Sequence, residues 1–175
     1  AIHDLAMQYG FKIIEDASHA IGGKYKGETI GNCRYSDITL FSFHPVKIIT
    51  TAEGGMLVTN QESLARHLRL LRSHGISSAK EDMQPRPPEE IWNYQQIGLG
   101  FNYRMTELQA ALGVSQMNRL DEFVAKRQAI SKRYDEALAS FSLVIPYQNP
   151  DCYSSYHLYP IRLKLSEINK TQRQV

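Results

Sequence analysis

The spacing of hydrophobic positions changes several times along this chain, and each change marks an element boundary. Ile2, Leu5, Ala6 and Tyr9 recur at helical spacing and stop at Gly10, so residues 2–9 predict a helix. Residues 11–16 (Phe-Lys-Ile-Ile-Glu-Asp) then form a short apolar run that ends in two carboxylates, which predicts a buried strand. Gly22, Gly23, Gly27, Gly31 and Asn32 punctuate the next stretch as turns. Residues 37–44 are rich in β-formers and predict a second strand. Residues 56–59, entered through Gly54 and Gly55, predict a third, and residues 45–53 form the loop between the two. Helix, glycine, then buried strand is the rhythm of an α/β layered domain.

Leu64, Leu68 and Leu71 form the apolar stripe of a predicted helix over 62–73, with Gly75 as its C-cap. Residues 76–98 are polar, contain Pro85, Pro87 and Pro88, and read as one long loop. A helical pattern runs from Thr106, a suitable cap, to about Phe141, with a break near Asp121, an N-cap residue ahead of Phe123 and Val124. Residues 142–146 and 156–165 predict two short strands. There is no internal repeat and no low-complexity segment.

The composition narrows the function classes. With 42% hydrophobic and 22% charged residues, the 175-residue chain is of ordinary globular type, long enough for one domain or one domain and part of another. Its net charge of +2 is spread without a basic block, which argues against a nucleic-acid surface. No apolar run reaches the length of a membrane span, and the first residues lack a signal-peptide layout. Cys33 and Cys152 lie far apart with no metal-ligand spacing, so two free thiols in a reducing cytoplasm and no metal site are expected. The chain lacks an initiator methionine and ends at Thr171–Val175 directly after a strand-like segment, so it reads as an internal fragment.

Three chemistry-bearing features crowd the first third. They are Glu15-Asp16-Ala17-Ser18-His19 at a strand end, Ser42 through Lys47 after the next strand, and Glu53-Gly54-Gly55 entering the third. Ligands in α/β sheets collect outside the carboxyl ends of strands, which is where the first two fall. Singly, each has an ordinary explanation. Asp16 serves as a turn or cap residue, His19 as a hydrogen-bonded structural histidine, Lys47 as a solvated charge, and Ser42 as a buried hydroxyl satisfied by backbone. The combination is what shifts the reading towards a site.

Residues 14–22 (Ile-Glu-Asp-Ala-Ser-His-Ala-Ile-Gly), 41–55 (Phe-Ser-Phe-His-Pro-Val-Lys-Ile-Ile-Thr-Thr-Ala-Glu-Gly-Gly) and 100–113 (Gly-Phe-Asn-Tyr-Arg-Met-Thr-Glu-Leu-Gln-Ala-Ala-Leu-Gly) together resemble the DegT/DnrJ/StrS family of sugar aminotransferases. Within it, residues 45–51, 72–76 and the Trp92/Tyr94 segment are most similar to members of the pseudaminic-acid type. The resemblance implies a three-layer type I fold like that of aspartate aminotransferase. Residues 1–140 would be the later part of the large domain, which binds pyridoxal 5'-phosphate (PLP), and residues 141–175 the beginning of the small C-terminal domain, truncated at both ends. Lys47 would carry the cofactor on its ε-amine and then shuttle the proton. Asp16 would pair with the ring nitrogen, His19 would contact the ring or its hydroxyl, and Ser42 would donate to the phosphate.

Asn102 matches a family position that reaches the phosphate of a neighbouring site across a homodimer; the other reading makes it a turn residue before the helix at Thr106. Arg104 offers charge to an acidic ligand or pairs with Glu107. Trp92, Tyr94 and His157 are candidates for a sugar-nucleotide pocket, although single aromatics and histidines more often pack. Family relatives that dehydrate sugars carry histidine where Lys47 stands, so the lysine favours amino transfer. The implied reaction moves an amino group, from L-glutamate, to the 4-keto carbon of a UDP-linked deoxysugar. The alternatives are a perosamine or aminoarabinose type of acceptor, or a catalytically silent relative. Family members are about twice as long, so the fragment alone would be inactive.

Overall fold

A computed structural model of the chain describes residues 1–167 and 172–174; the parts of the predicted 141–175 segment at 168–171 and 175 lie outside the described residues. In chain order the elements are α1 (Ile2–Tyr9), β1 (Ile14–Asp16), β2 (Lys24–Tyr25), β3 (Glu28–Thr29), β4 (Ile38–Ser42), β5 (Gly55–Val58) and α2 (Glu62–Arg72). Then follow β6 (Ile76–Ser77), β7 (Gln95–Gln96), α3 (Glu107–Met117), α4 (Leu120–Leu138), β8 (Leu143–Val144), β9 (Cys152–Tyr153) and β10 (Arg162–Leu163).

The sheet that positions the site has the order β1-β4-β5. β1 runs parallel to β4 with Asp16 opposite Leu40, and β5 returns antiparallel with Ser42 opposite Gly55. Side chains alternate across a strand, so one face carries Glu15, Thr39 and Phe41 while the other carries Asp16, Leu40, Ser42 and Leu57. The first face is buried at Thr39 and Phe41, while Met56 on its β5 edge is half exposed. Phe41 packs with Ala17, Phe43, Ile48, Ile49 and Val124 in the core, backed by Leu120 and Phe123 of α4. The second face is more open, with Ile14 and Leu57 exposed.

Asp37 ties the entry edge of this sheet together. Its carboxylate accepts from the Ile13 backbone N–H (2.9 Å), Lys12 Nζ (3.0 Å) and Gln61 Nε2 (2.7 Å). These contacts, the Ile13 bond first, hold its carboxyl down at about 2 against an ordinary value of 3.8. A carboxylate depressed on folding stabilises the native state above its unfolded value and ceases to as pH falls through the folded one. Asp37→Asn should therefore be less stable than wild type above pH 3.8, with the gap closing as pH falls towards about 2. Urea unfolding of the intact protein at stepped pH measures this, and a gap independent of pH would refute it.

Most predicted elements form, with instructive shifts at their ends. α1 stops at Gly10, whose left-handed φ of 72° lets its N–H reach Ala6. Thr106 closes a capping box with Gln109. The break between α3 and α4 falls at Asn118 and Arg119; Arg119 is the N-cap, and Asp121 sits inside the first turn, where its charge suits the helix dipole. α2 ends at Arg72 with Ser73 as cap, not Gly75. Gly75 has another task. A Cβ there would overlap the Gly98 carbonyl, and one on Gly100 would overlap the Gly75 nitrogen, so the two glycines let backbones touch. That approach lets Phe101 and Tyr103 donate to Leu71 and Arg72 at the end of α2.

The loop at 76–98 contains the short β6–β7 pair. Ser77 and Arg66 both bond Asp82, and Arg86 bonds the carbonyls of Glu90 and Asn93. The glycine-punctuated stretch at 22–32 is a hairpin, β2–β3, and β9 pairs with β2 on its other side. Of the strand predicted at 156–165 only β10 forms, paired with β8. Cys33 and Cys152 are free thiols. Among the described residues no helix is long and apolar enough to cross a membrane.

Candidate active site at the carboxyl edge of the sheet

Two parallel strands deliver two side chains to one edge. β1 ends at Asp16, and Ser42 stands two residues beyond its partner Leu40, on the same face. After Ser42 the chain enters a tight loop: Lys47 N–H donates to the His44 carbonyl (2.9 Å) and Thr51 N–H to the Phe43 carbonyl (3.0 Å). Ile48 and Ile49, at 5% and 1% exposure, anchor this loop in the core. Each such side chain contributes about 1.5–3 kcal/mol on burial. The loop is also pinned to α3, where Gln116 accepts from Thr50 N–H (2.9 Å) and Gln109 donates to the Glu53 carbonyl (3.0 Å). Lys47 is thus a half-buried amine on a braced loop, and among the described residues it forms no ion pair.

Electrostatics link Lys47 to the strand end. The Asp16 carboxyl lies below its usual range, first because the Ser18 hydroxyl and N–H bond it, and further because the charges of His19 and Lys47 are near. The structure therefore brings Asp16, His19 and Lys47 into one neighbourhood, with Ser42 on the same sheet edge. His44 lies on the loop, with Nε2 3.7 Å from Glu53.

A fifth residue joins from far along the chain. The His157 ring lies 4.4 Å from that of His19, tilted by 39°. Burial is the main reason its pKa is lowered, followed by the charges of His19, Lys47 and Arg127. Its Nδ1 is buried with no hydrogen-bond partner among the described residues, an unsatisfied polar atom. The segment before it is firmly held: Ser155 Oγ donates to the His19 carbonyl (3.3 Å), and Arg127 bonds the carbonyls of Tyr156 (3.0 Å) and His157 (3.3 Å). As a single histidine in the sequence, His157 reads as a packing residue. The signal was the β9–β2 pairing, which two-residue strands do not announce.

Among the described residues Asn102 forms no hydrogen bond or ion pair with Asp16, His19, Ser42 or Lys47. It is exposed, and its backbone bridges Ser73 at the end of α2. Beside it a cleft of about 710 Å³ is lined by Ser73, His74, Ile76, Tyr94, Gln96 and Arg104. None of Asp16, His19, Ser42 and Lys47 lines this cleft, and its lining carries neither a lysine nor a carboxylate. Among the described residues Arg104 forms no ion pair, with Glu107 or any other carboxylate.

PLP asks for an amine to meet its aldehyde, an anion for its ring nitrogen and donors for its phosphate. The edge offers the amine of Lys47, the ionised carboxylate of Asp16 and the hydroxyl of Ser42. Oδ1 of Asp16 takes both bonds from Ser18, while Oδ2 accepts none among the described residues. The residues present fit that group. Among the described residues there is no cluster of three His, Cys, Asp or Glu side chains suited to a metal ion.

Residues 1–175 match the model of the DegT/DnrJ/EryC1/StrS aminotransferase family. A curated relative from Campylobacter jejuni serotype O:23/36, a UDP-4-amino-4,6-dideoxy-N-acetyl-beta-L-altrosamine transaminase, is 40% identical over 163 residues. That alignment takes in 93% of this chain and 40% of the relative, so the chain spans about two fifths of the relative's length. Among solved structures, Helicobacter pylori PseC, an aminotransferase involved in pseudaminic-acid biosynthesis, superposes with a TM-score of 0.83 at 30% identity. The superposition covers 94% of this chain and 42% of that one. The PLP form of a sugar aminotransferase from Streptococcus pneumoniae gives 0.76 at 28% identity, covering 91% and 39%.

Proposed function

Because this chain belongs to the DegT/DnrJ/EryC1/StrS aminotransferase family, we propose that it forms the cofactor-anchoring part of a PLP-dependent aminotransferase acting on a nucleotide-linked keto sugar. The finer reading is amino transfer from L-glutamate to the 4-keto carbon of a UDP-linked deoxysugar, in the cytoplasm and as a homodimer. The observation that carries it is the placement of Asp16 and Lys47 on one sheet edge, near enough for the lysine charge to lower the carboxyl.

Bound PLP supplies a carbonyl for the amine and an electron-withdrawing ring. Lys47 would hold it through Nζ and, once released, would carry the proton at that atom between the two reacting carbons. Asp16 would hold a proton on the ring nitrogen, and Ser42 would donate to the phosphate. His19, backed by His157, would lie against the ring. Asn102, away from this cluster, would serve the phosphate of a neighbouring copy. A division near residue 141, separating the cofactor-binding part from the start of a smaller domain, belongs to the same proposal.

The test is a substrate panel. The intact protein, given PLP, ¹⁵N-labelled L-glutamate and UDP-, GDP- or dTDP-linked 4-keto sugars, should place ¹⁵N on the UDP-linked sugar fastest. Preference for a GDP-linked sugar would move the assignment to a perosamine type. Failure to take up PLP at all would leave the silent-relative reading standing.

A further inference from the structure

Asp16 does not hang freely from the end of β1. Ser18 donates to one of its oxygens twice: Oγ reaches Oδ1 at 2.6 Å, and the backbone N–H reaches the same atom at 3.0 Å. The donor cannot drift away. On one side Ala17 is 2% exposed and its N–H bonds the Leu40 carbonyl at 2.9 Å. On the other, the His19 ring lies tilted against that of His157 and the His19 carbonyl is held by Ser155. A carboxylate that accepts two bonds at one oxygen is restrained in its rotation, and its second oxygen is the one left over.

We propose that Ser18 is a positioning residue of the site, clamping Oδ1 of Asp16 so that Oδ2 is the oxygen held ready for a cationic ring nitrogen. This rests on the PLP reading above, and it goes further by naming a residue that touches no ligand. An Asp side chain that accepts from the N–H two residues on is also an ordinary turn device. The hydroxyl is what exceeds that device, since the turn needs only the N–H. The charged groups around the carboxylate are His19 and Lys47, with His157 behind His19. Glu15 points to the other sheet face, where it accepts from Thr39 Oγ1 at 2.9 Å.

The clamp can be separated from the turn. Cofactor-free intact protein is titrated, with fluorescence as readout, against PLP and against an analogue in which carbon replaces the ring nitrogen. Ser18→Ala removes the hydroxyl donor and keeps the N–H; Ser18→Thr keeps both. Ser18→Ala should weaken PLP about tenfold, the order expected for one bond to a charged group at an exposed site. Binding of the analogue should stay unchanged, and Ser18→Thr should match wild type. Equal weakening of both ligands would make Ser18 a merely structural residue, and no weakening of PLP would end the proposal. Asp16→Asn is run alongside. If it too discriminates PLP from the analogue as wild type does, the role of Asp16 itself fails. If it loses that discrimination while Ser18→Ala keeps it, only the clamp fails.

Discussion

Lys47→Ala in the intact protein should abolish the visible absorbance of lysine-bound cofactor and lower turnover by about 10²- to 10⁴-fold or more. That range is what a single positioned acid–base group supplies, and the covalent anchor is lost as well. The fold should survive the change. The Lys47 side chain has no ion pair among the described residues, and the loop is braced by Ile48, Ile49 and the bonds to Gln109 and Gln116. Thermal stability should therefore move by no more than about 1 kcal/mol, as for a half-buried side chain that belongs to no bonding network. Lys47→Arg separates charge from chemistry. It keeps a cation beside Asp16, but a guanidinium that is not deprotonated cannot take the amine's place. Absorbance spectra and steady-state rates on the three proteins decide the matter. A Lys47→Ala protein that keeps the wild-type band and rate would remove the anchor from this loop.

Much of this architecture could be read from the residues because the informative elements are long or sharply bounded. β1 and β4 carry concentrated β-formers, α3 and α4 carry helical stripes, and Gly10 and Thr106 end or begin helices by plain stereochemistry. The placement of Asp16 and Ser42 on one edge also follows from strand direction and alternation alone. What escaped is carried by contacts distant in sequence. β2, β3, β6, β7 and β9 are two residues each, too short to show a period of two. With β9 unseen, nothing could bring His157 within 4.4 Å of His19. A glycine just past a helix usually caps it, and the Gly75 N–H does reach the Leu70 carbonyl (2.8 Å), but its approach to Gly98 and Gly100 has no local signature. The role proposed for Asn102 across a homodimer is likewise not something one chain can display; its structure puts the residue beside Ser73.

Asp16→Asn should lower turnover by about 10²- to 10³-fold, the scale of one lost electrostatic partner in a reaction site, while keeping some cofactor. The amide is the same size and keeps an oxygen for Ser18, so the turn after β1 should hold. What vanishes is the negative charge. In wild type, Ser18 and the nearby charges of His19 and Lys47 hold the carboxyl below its ordinary 3.8, so it stays ionised at every pH above that value. Asp16 therefore cannot set the acid limb of the rate in the neutral range, and on the proposed reading it would keep the facing ring nitrogen protonated as pH rises. The asparagine cannot oppose that proton's loss. The ratio of wild-type to variant turnover should consequently widen from pH 6 to pH 9, and rate profiles measured across that range supply the check. Parallel profiles, or near-normal turnover in the variant, would mean that the carboxylate at the end of β1 never faces a titrating nitrogen.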